Sequence, residues 1–276
     1  MQEPTVSRAV PMQGIELIAQ LRELFEARDL LFTWTRREFR VRYSQSILGA
    51  AWAILQPLAL MAIFSLVFGF VLRVPTEGVP YPVFSYVGSL AWTFFASALT
   101  FAIPSLVNNM SLVSKIYFPR EILPLSSVLV CLADFAVAAA LLLPMMLIGG
   151  VGLSWTIVML PLLVVVQVLL SYGLSLIGAA VNVFFRDVRF VIPLALQIWL
   201  YASPVIYPVS AVPESLRPFY FLNPMAVLID SYRRVLLFGQ LPDWGWFGLS
   251  ATISVVILVL GYRFFKRAES QFADVI

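Results

Sequence analysis

Six apolar runs divide this 276-residue chain, near residues 49–73, 83–107, 121–149, 156–184, 190–207 and 245–265. The hydrocarbon core of a bilayer is about 30 Å thick, and a helix needs about 20 apolar residues to cross it. Inside lipid every backbone N–H and C=O must find a partner within the protein. The expected fold is an all-α integral membrane protein of six transmembrane helices. Composition agrees: 61% of residues are hydrophobic and 12% charged, where a soluble domain carries about 25% charge. That much apolar surface does not fit into one globular core.

The positive charges punctuate these runs. Arg36-Arg37-Glu38-Phe39-Arg40-Val41-Arg42-Tyr43 stops where the first run begins. Of the 18 Lys and Arg residues, fourteen fall in residues 1–48, at Lys115, Arg120, Arg186 and Arg189, and in the tail at Arg263, Lys266 and Arg267. Arg73, Arg217, Arg233 and Arg234 fall on the other side. The positive-inside rule then places both termini in the cytoplasm. The net charge of +3 is a topology signal, with no nucleic-acid partner implied. The expected organisation is a cytoplasmic N-terminal segment over 1–48, a transmembrane domain over 49–265 and a cytoplasmic tail over 266–276. Residues 1 to 35 are mixed polar and hold no apolar core of the signal-peptide kind.

Two segments outside the runs have a readable pattern. Over 15–32, Leu17, Ile18, Leu21, Leu24, Phe25, Leu31 and Phe32 share one stripe, with Glu16, Glu23, Glu26 and Asp29 opposite. That is an amphipathic helix at the cytoplasmic interface, apolar face toward lipid. Its acidic polar face suits partner docking or gating as well as anchoring. Residues 208–244 are apolar but broken by Pro208, Pro213, Pro218 and Pro224. Short broken helices dipping into the membrane fit them, since such backbone is tolerated where protein covers it or a wet cavity borders it.

What is missing narrows the function. There is no histidine, which removes the commonest general base and metal ligand. The single cysteine, Cys131, lies in an apolar run and allows no intramolecular disulfide or thiolate cluster, so no metal site is expected. Neither Lys115 nor Lys266 follows a glycine, so there is no phosphate-binding G-x-x-x-x-G-K-[ST] loop. If transport is ATP-driven, the ATPase is another chain.

Five segments carry a resemblance. They are Arg40-Val41-Arg42-Tyr43 through Leu48-Gly49 and Trp52 to Gln56-Pro57; Phe118-Pro119-Arg120-Glu121-Ile122-Leu123-Pro124; Phe185-Arg186-Asp187-Val188; Ser203-Pro204-Val205-Ile206-Tyr207; and Asn223-Pro224 followed by Tyr232-Arg233. In this order the chain resembles the membrane subunit of an ABC-2 type exporter, of the group that exports O-antigen, capsule or teichoic-acid polysaccharides. The resemblance implies a bacterial cytoplasmic-membrane permease with no enzymatic activity and no cofactor of its own. It implies a homodimer working with two copies of a separate ABC ATPase, which binds ATP and Mg. The cargo would be a lipid-linked polysaccharide. A short cytoplasmic coupling helix near 108–118 would insert into the ATPase, with Ser114, Lys115, Tyr117 and Phe118 at the contact. The residues allow this, since Met110, Leu112, Val113, Ile116 and Tyr117 can share an apolar face. An ordinary loop on the headgroups is the plainer alternative.

Other candidates come from chemistry. Arg37, Arg40 and Arg42 suit either an anchor on anionic membrane lipid or an entrance for a lipid phosphate, which a guanidinium grips bidentately. Arg120 and Glu121 open the third span. Glu121 either faces the positive end of the helix dipole or pairs with an arginine at a cytoplasmic gate. Asp134 lies near the middle of the third run and must face protein or a cavity, or be protonated. It can serve a packed hydrogen bond, a lining, or a proton relay that has no visible partner. Gln56, Gln167, Asn182 and Gln197 read as helix–helix glue, and Ser171, Ser175 and Ala179 as a close-packing face. Aromatic rings pass a glycan by its C–H faces without trapping it, and the resemblance points to spans one and five as channel walls. Phe64, Phe68, Trp199, Tyr201 and Tyr207 are therefore candidate lining. Arg233 and Arg234, on the side arginines avoid, either pair with Asp230 and its neighbours or meet the glycan at the exit.

Three rival functions share parts of this pattern. An ABC-2 exporter of a drug or small lipid has the same topology. A membrane glycosyl- or acyltransferase needs an acid or histidine constellation. A proton-coupled transporter needs central titratable groups, and only Asp134 qualifies.

Overall fold

The computed structural model describes residues 23, 26–44, 46–49, 51–113 and 118–272, and their regular structure is helical throughout. Helix α1 (Arg28–Tyr43) leads to α2 (Ala51–Phe64), which runs on as a π-helix over Ser65–Val71. Next come α3 (Tyr81–Ala102), two single turns, α4 (Ser105–Asn108) and α5 (Met110–Val113), and α6 (Ile122–Ile148). A 3-10 turn over Trp155–Met159 opens α7 (Leu160–Phe184), and α8 (Val188–Tyr201) follows. The remainder is a 3-10 turn over Val209–Ala211, α9 (Arg217–Tyr220), α10 (Pro224–Leu236) and α11 (Trp244–Glu269).

Local chemistry sets several of these boundaries. Pro82 and Pro161 fall in the first turns of α3 and α7, where a missing N–H costs nothing. Asn223 Oδ1 accepts from the Met225 amide at 3.1 Å, and Asp243 Oδ1 accepts from Gly245 and Trp246. Both are side-chain caps on helix N-termini. Pro144 falls inside α6.

Five helices among the described residues are long and apolar enough to cross a bilayer: Ala51–Val71, Tyr81–Ala102, Ile122–Ile148, Trp155–Phe184 and Trp244–Glu269. The sixth expected span, 190–207, departs from expectation. Its helix, α8, has 14 residues, about 21 Å at 1.5 Å per residue, short of the core. Ser203-Pro204 explains the stop, because proline disfavours helical backbone before it and supplies no N–H. Residues 208–244 hold a 3-10 turn and helices of 4 and 13 residues.

The bundle is built around α3. In its most apolar window 78% is buried, against 11% in the span formed by α2 and the π-helix. Helix α10 is buried between α3, α7 and α11. Helices α7 and α11 cross at two glycines, where a Cβ on Gly261 would fall 2.5 Å from the Gly173 carbonyl oxygen. Ser171, Ser175 and Ala179 are fully buried on α7, as the small-residue spacing predicts. Gln167 joins three helices: it donates to the Ala91 carbonyl at 2.7 Å and accepts from the Tyr232 hydroxyl at 2.8 Å. Asn182 is buried and reaches the Ile103 carbonyl at 3.5 Å. Gln56 and Gln197 differ from expectation, for both are exposed on the protomer surface.

Most of the expected amphipathic helix over 15–32, including Leu17, Ile18, Leu21, Leu24 and Phe25, lies outside the described residues. The described helix α1 extends further along the chain, so the arginines are helical. It leans on α6 rather than offering one apolar face to lipid. Leu31 packs on the core and Trp34 is buried, while Phe32 is exposed.

Candidate functional site

The candidate site gathers at the end of the bundle that carries Arg42, Arg120, Arg186 and Lys266. Helix α1 follows the first half of α6, with Trp34 against Phe118 near its start and Arg42 and Tyr43 against Asp134 at its finish. The Arg42 guanidinium is 3.0 Å from Asp134 Oδ2, and the Tyr43 hydroxyl donates to Oδ1 at 2.7 Å. Asp134 is thus level with the junction between α1 and α2. Helix α6 has 27 residues, about 40 Å, so its thirteenth residue need not sit at mid-membrane. The packed hydrogen-bond reading of Asp134 is the one the geometry supports.

The three arginines offered for a lipid phosphate separate. Arg40 is exposed, and Arg37 is exposed with its guanidinium 4.4 Å from the Trp34 ring. Arg42 turns inward to its carboxylate, with a side chain 13% exposed. Side chains three and four positions apart on a helix share a face, and two positions apart they do not, so Arg40 and Arg42 point in different directions.

Glu121 is the N-cap residue of α6, at the positive end of its dipole. Its side chain does not cap α6, and its partner is a lysine, not an arginine. Glu121 is 1% exposed, 2.8 Å from Lys266 Nζ, and accepts from the Tyr262 hydroxyl at 3.1 Å. Lys266 also reaches Glu269 at 3.0 Å, and Arg120 donates to the Glu269 carbonyl at 2.7 Å. This network ties the entry to α6 to the last turn of α11. A buried pair of this kind holds because each charge has further hydrogen-bonding partners.

Of the expected coupling residues, Ser114, Lys115 and Tyr117 lie outside the described residues. Phe118 is 8% exposed and stacked on Trp34 at 6.4 Å. It is therefore a contact within the protomer rather than a free docking side chain.

The aromatic candidates divide as well. Phe64 is buried and meets Phe68 edge-on at 6.2 Å. Trp199 packs on Phe95 at 5.1 Å and donates to Asn223 Oδ1 at 3.0 Å. Tyr207 bonds the Tyr201 carbonyl and the Tyr220 hydroxyl. Tyr201 alone of the five is widely exposed, at 60%. The more exposed rings on the same two helices are Phe70 and Phe190, which residue type alone did not separate from core.

Arg233 does not face an open exit. It is 2% exposed, and its guanidinium donates to the carbonyls of Phe84, Pro204, Val205 and Tyr207. It also lies 3.6 Å from the Phe84 ring centre. It clamps the turn after α8 to α3. Arg234 pairs with Asp230 at 3.2 Å, the local pairing expected one turn apart on a helix.

Comparison with known proteins agrees with the motif order. The model of the ABC-2 type transporter family matches residues 29–237. The chain is 33% identical to the O-antigen export system permease protein RfbA of Myxococcus xanthus over 261 residues, 94% of this chain and 99% of that protein. It is 29% identical to RfbA of Klebsiella pneumoniae over 250 residues, covering 90% of this chain and 95% of the relative. Polysialic acid transport protein KpsM of Escherichia coli is 23% identical over 238 residues, 84% of this chain and 91% of that one.

Proposed function

Because the chain belongs to the ABC-2 type transporter family, we propose that it is the permease subunit of an ATP-driven exporter, moving a lipid-linked polysaccharide from the cytoplasm to the outer face of the cytoplasmic membrane. The observation that carries this is the near full-length similarity to the O-antigen permease of Myxococcus xanthus. The chain itself makes and breaks no bonds in this reading, and ATP and Mg bind a separate ATPase subunit.

Two copies of the permease face each other along α2 and α8. The span of α2 has the least buried share of the five, 11%, and α8 buries only Leu196. Both carry an exposed glutamine, Gln56 or Gln197, on an otherwise apolar surface. An amide in hydrocarbon wants a partner, and a second protein surface supplies one. The glycan passes between the copies along exposed rings such as Tyr201. Helix α8 and the broken helices after it make the sixth crossing. The end bearing Arg42 and Lys266 is cytoplasmic by its excess of basic residues. There the exposed Arg36, Arg37 and Arg40 attract anionic lipid at roughly 1 kcal/mol each. The segment 108–118 docks on the ATPase, and its motion reaches α11 through the Glu121–Lys266 network.

The test is a strain lacking this chain. Surface polysaccharide should disappear while a lipid-linked glycan accumulates inside. Unchanged surface glycan without internal accumulation would sink the proposal and leave an exporter of drugs or small lipids.

A further inference from the structure

A cavity of about 210 Å³ opens between α1, α2, α3 and α6 at the basic end. Arg42, Tyr43 and Asp134 line its polar side, and Trp52 and Phe94 its apolar side. Two buried polar atoms on residues lining it, Arg42 Nη2 and Thr93 Oγ1, have no hydrogen-bond partner. A buried donor left without a partner costs about 1–3 kcal/mol. Access is from α2, where Trp52 is 49% exposed and Gln56 is exposed.

The wall chemistry selects that occupant. Arg42 already faces Asp134 at 3.0 Å, so the cavity is charge-balanced. A phosphate here would find a cation in use and a carboxylate beside it, and like charges at this range repel. A sugar residue fits better. Its hydroxyls both donate and accept, so one can meet the Tyr43 hydroxyl and another the Gln56 amide. A third can donate to an Asp134 oxygen. Its C–H face packs on an aromatic ring, here Trp52 or Phe94. The volume, about 210 Å³ in an open pocket, admits a sugar ring.

We propose that this cavity is a monosaccharide subsite, which receives one uncharged sugar residue of the glycan as it passes α2. The proposal rests on the polysaccharide-export reading.

The experiment uses the intact permease–ATPase complex in nanodiscs, with Thr93→Cys in a Cys131→Ser background. The rate of maleimide labelling is timed with two probes. One is the oligosaccharide pool released by mild acid from the same strain's lipid-linked glycan; the other is inorganic pyrophosphate. The oligosaccharide should slow labelling at least threefold and pyrophosphate should leave it unchanged. Protection by pyrophosphate alone would make the cavity an anion site, and protection by neither would make it purely structural. Either result overturns the subsite. Ser97→Cys, on the same wall, replaces Thr93→Cys if that protein does not assemble. A deletion strain that loses its surface glycan keeps the export reading intact, so an absence of protection then counts against the subsite alone.

Discussion

Glu121 exchanges the hydration of a carboxylate for two donors, Lys266 and Tyr262, and keeps 1% exposure. Removing one side of such a contact strands the other. Glu121→Gln should lower stability by about 2 kcal/mol, and Lys266→Met by a similar amount. The double variant should cost less than the sum, because the second change removes a charge already left without its main partner. Thermal unfolding of the purified protein in detergent measures all three, and strict additivity would show that the two residues do not interact. This pairing was not legible in the chain, since its partners are 145 positions apart. The same holds for Arg42 and Asp134, at a separation of 92. Charge type and apolar surroundings announced that Asp134 needed a partner; only folding shows which arginine of the basic segment turns inward. Arg233 misled for a different reason. Four backbone carbonyls satisfy it, and carbonyls leave no mark in a sequence.

Helices were more legible than their neighbours. Five long apolar runs became five spans because length and apolarity suffice in lipid, and the Asn223 cap follows from a contact two residues away. The run at 190–207 gives a shorter helix than its hydropathy suggests, because hydropathy continues past Ser203-Pro204 while helical backbone does not. Close packing was legible in Ser171 and Ser175, yet the tightest crossing uses Gly173 and Gly261. Two glycines on α11 now separate packing from propensity. Gly261→Ala drives a methyl toward the Gly173 carbonyl, so it should cost about 1–3 kcal/mol. Gly248→Ala has nothing within 4 Å of the new Cβ, so it should be neutral or stabilise by up to ~1 kcal/mol. Melting temperatures of the two variants decide the matter, and equal shifts would contradict the crossing described.

On the scale of the whole molecule, the uneven cover of the helices makes the proposed dimer interface testable. With Cys131→Ser as background, Gln197→Cys on α8 should give a dimer band with a bifunctional maleimide in native membranes. Val256→Cys, on the exposed face of α11, should remain monomeric on the same gel. The reverse pattern would move the interface to α11. The central place of α3 has a consequence for how the chain enters the bilayer. Among the five spans α3 has the lowest hydropathy, 1.3, against 2.2 for the span that precedes it and 2.4 for the two that follow. The most enclosed of the spans is also the least apolar, so it gains least from lipid alone. It emerges after α2 and before α6, so its partition into lipid depends on company that is only partly made. Insertion of α3 is then expected to be the least favourable step of assembly, completed when α6 arrives to enclose it.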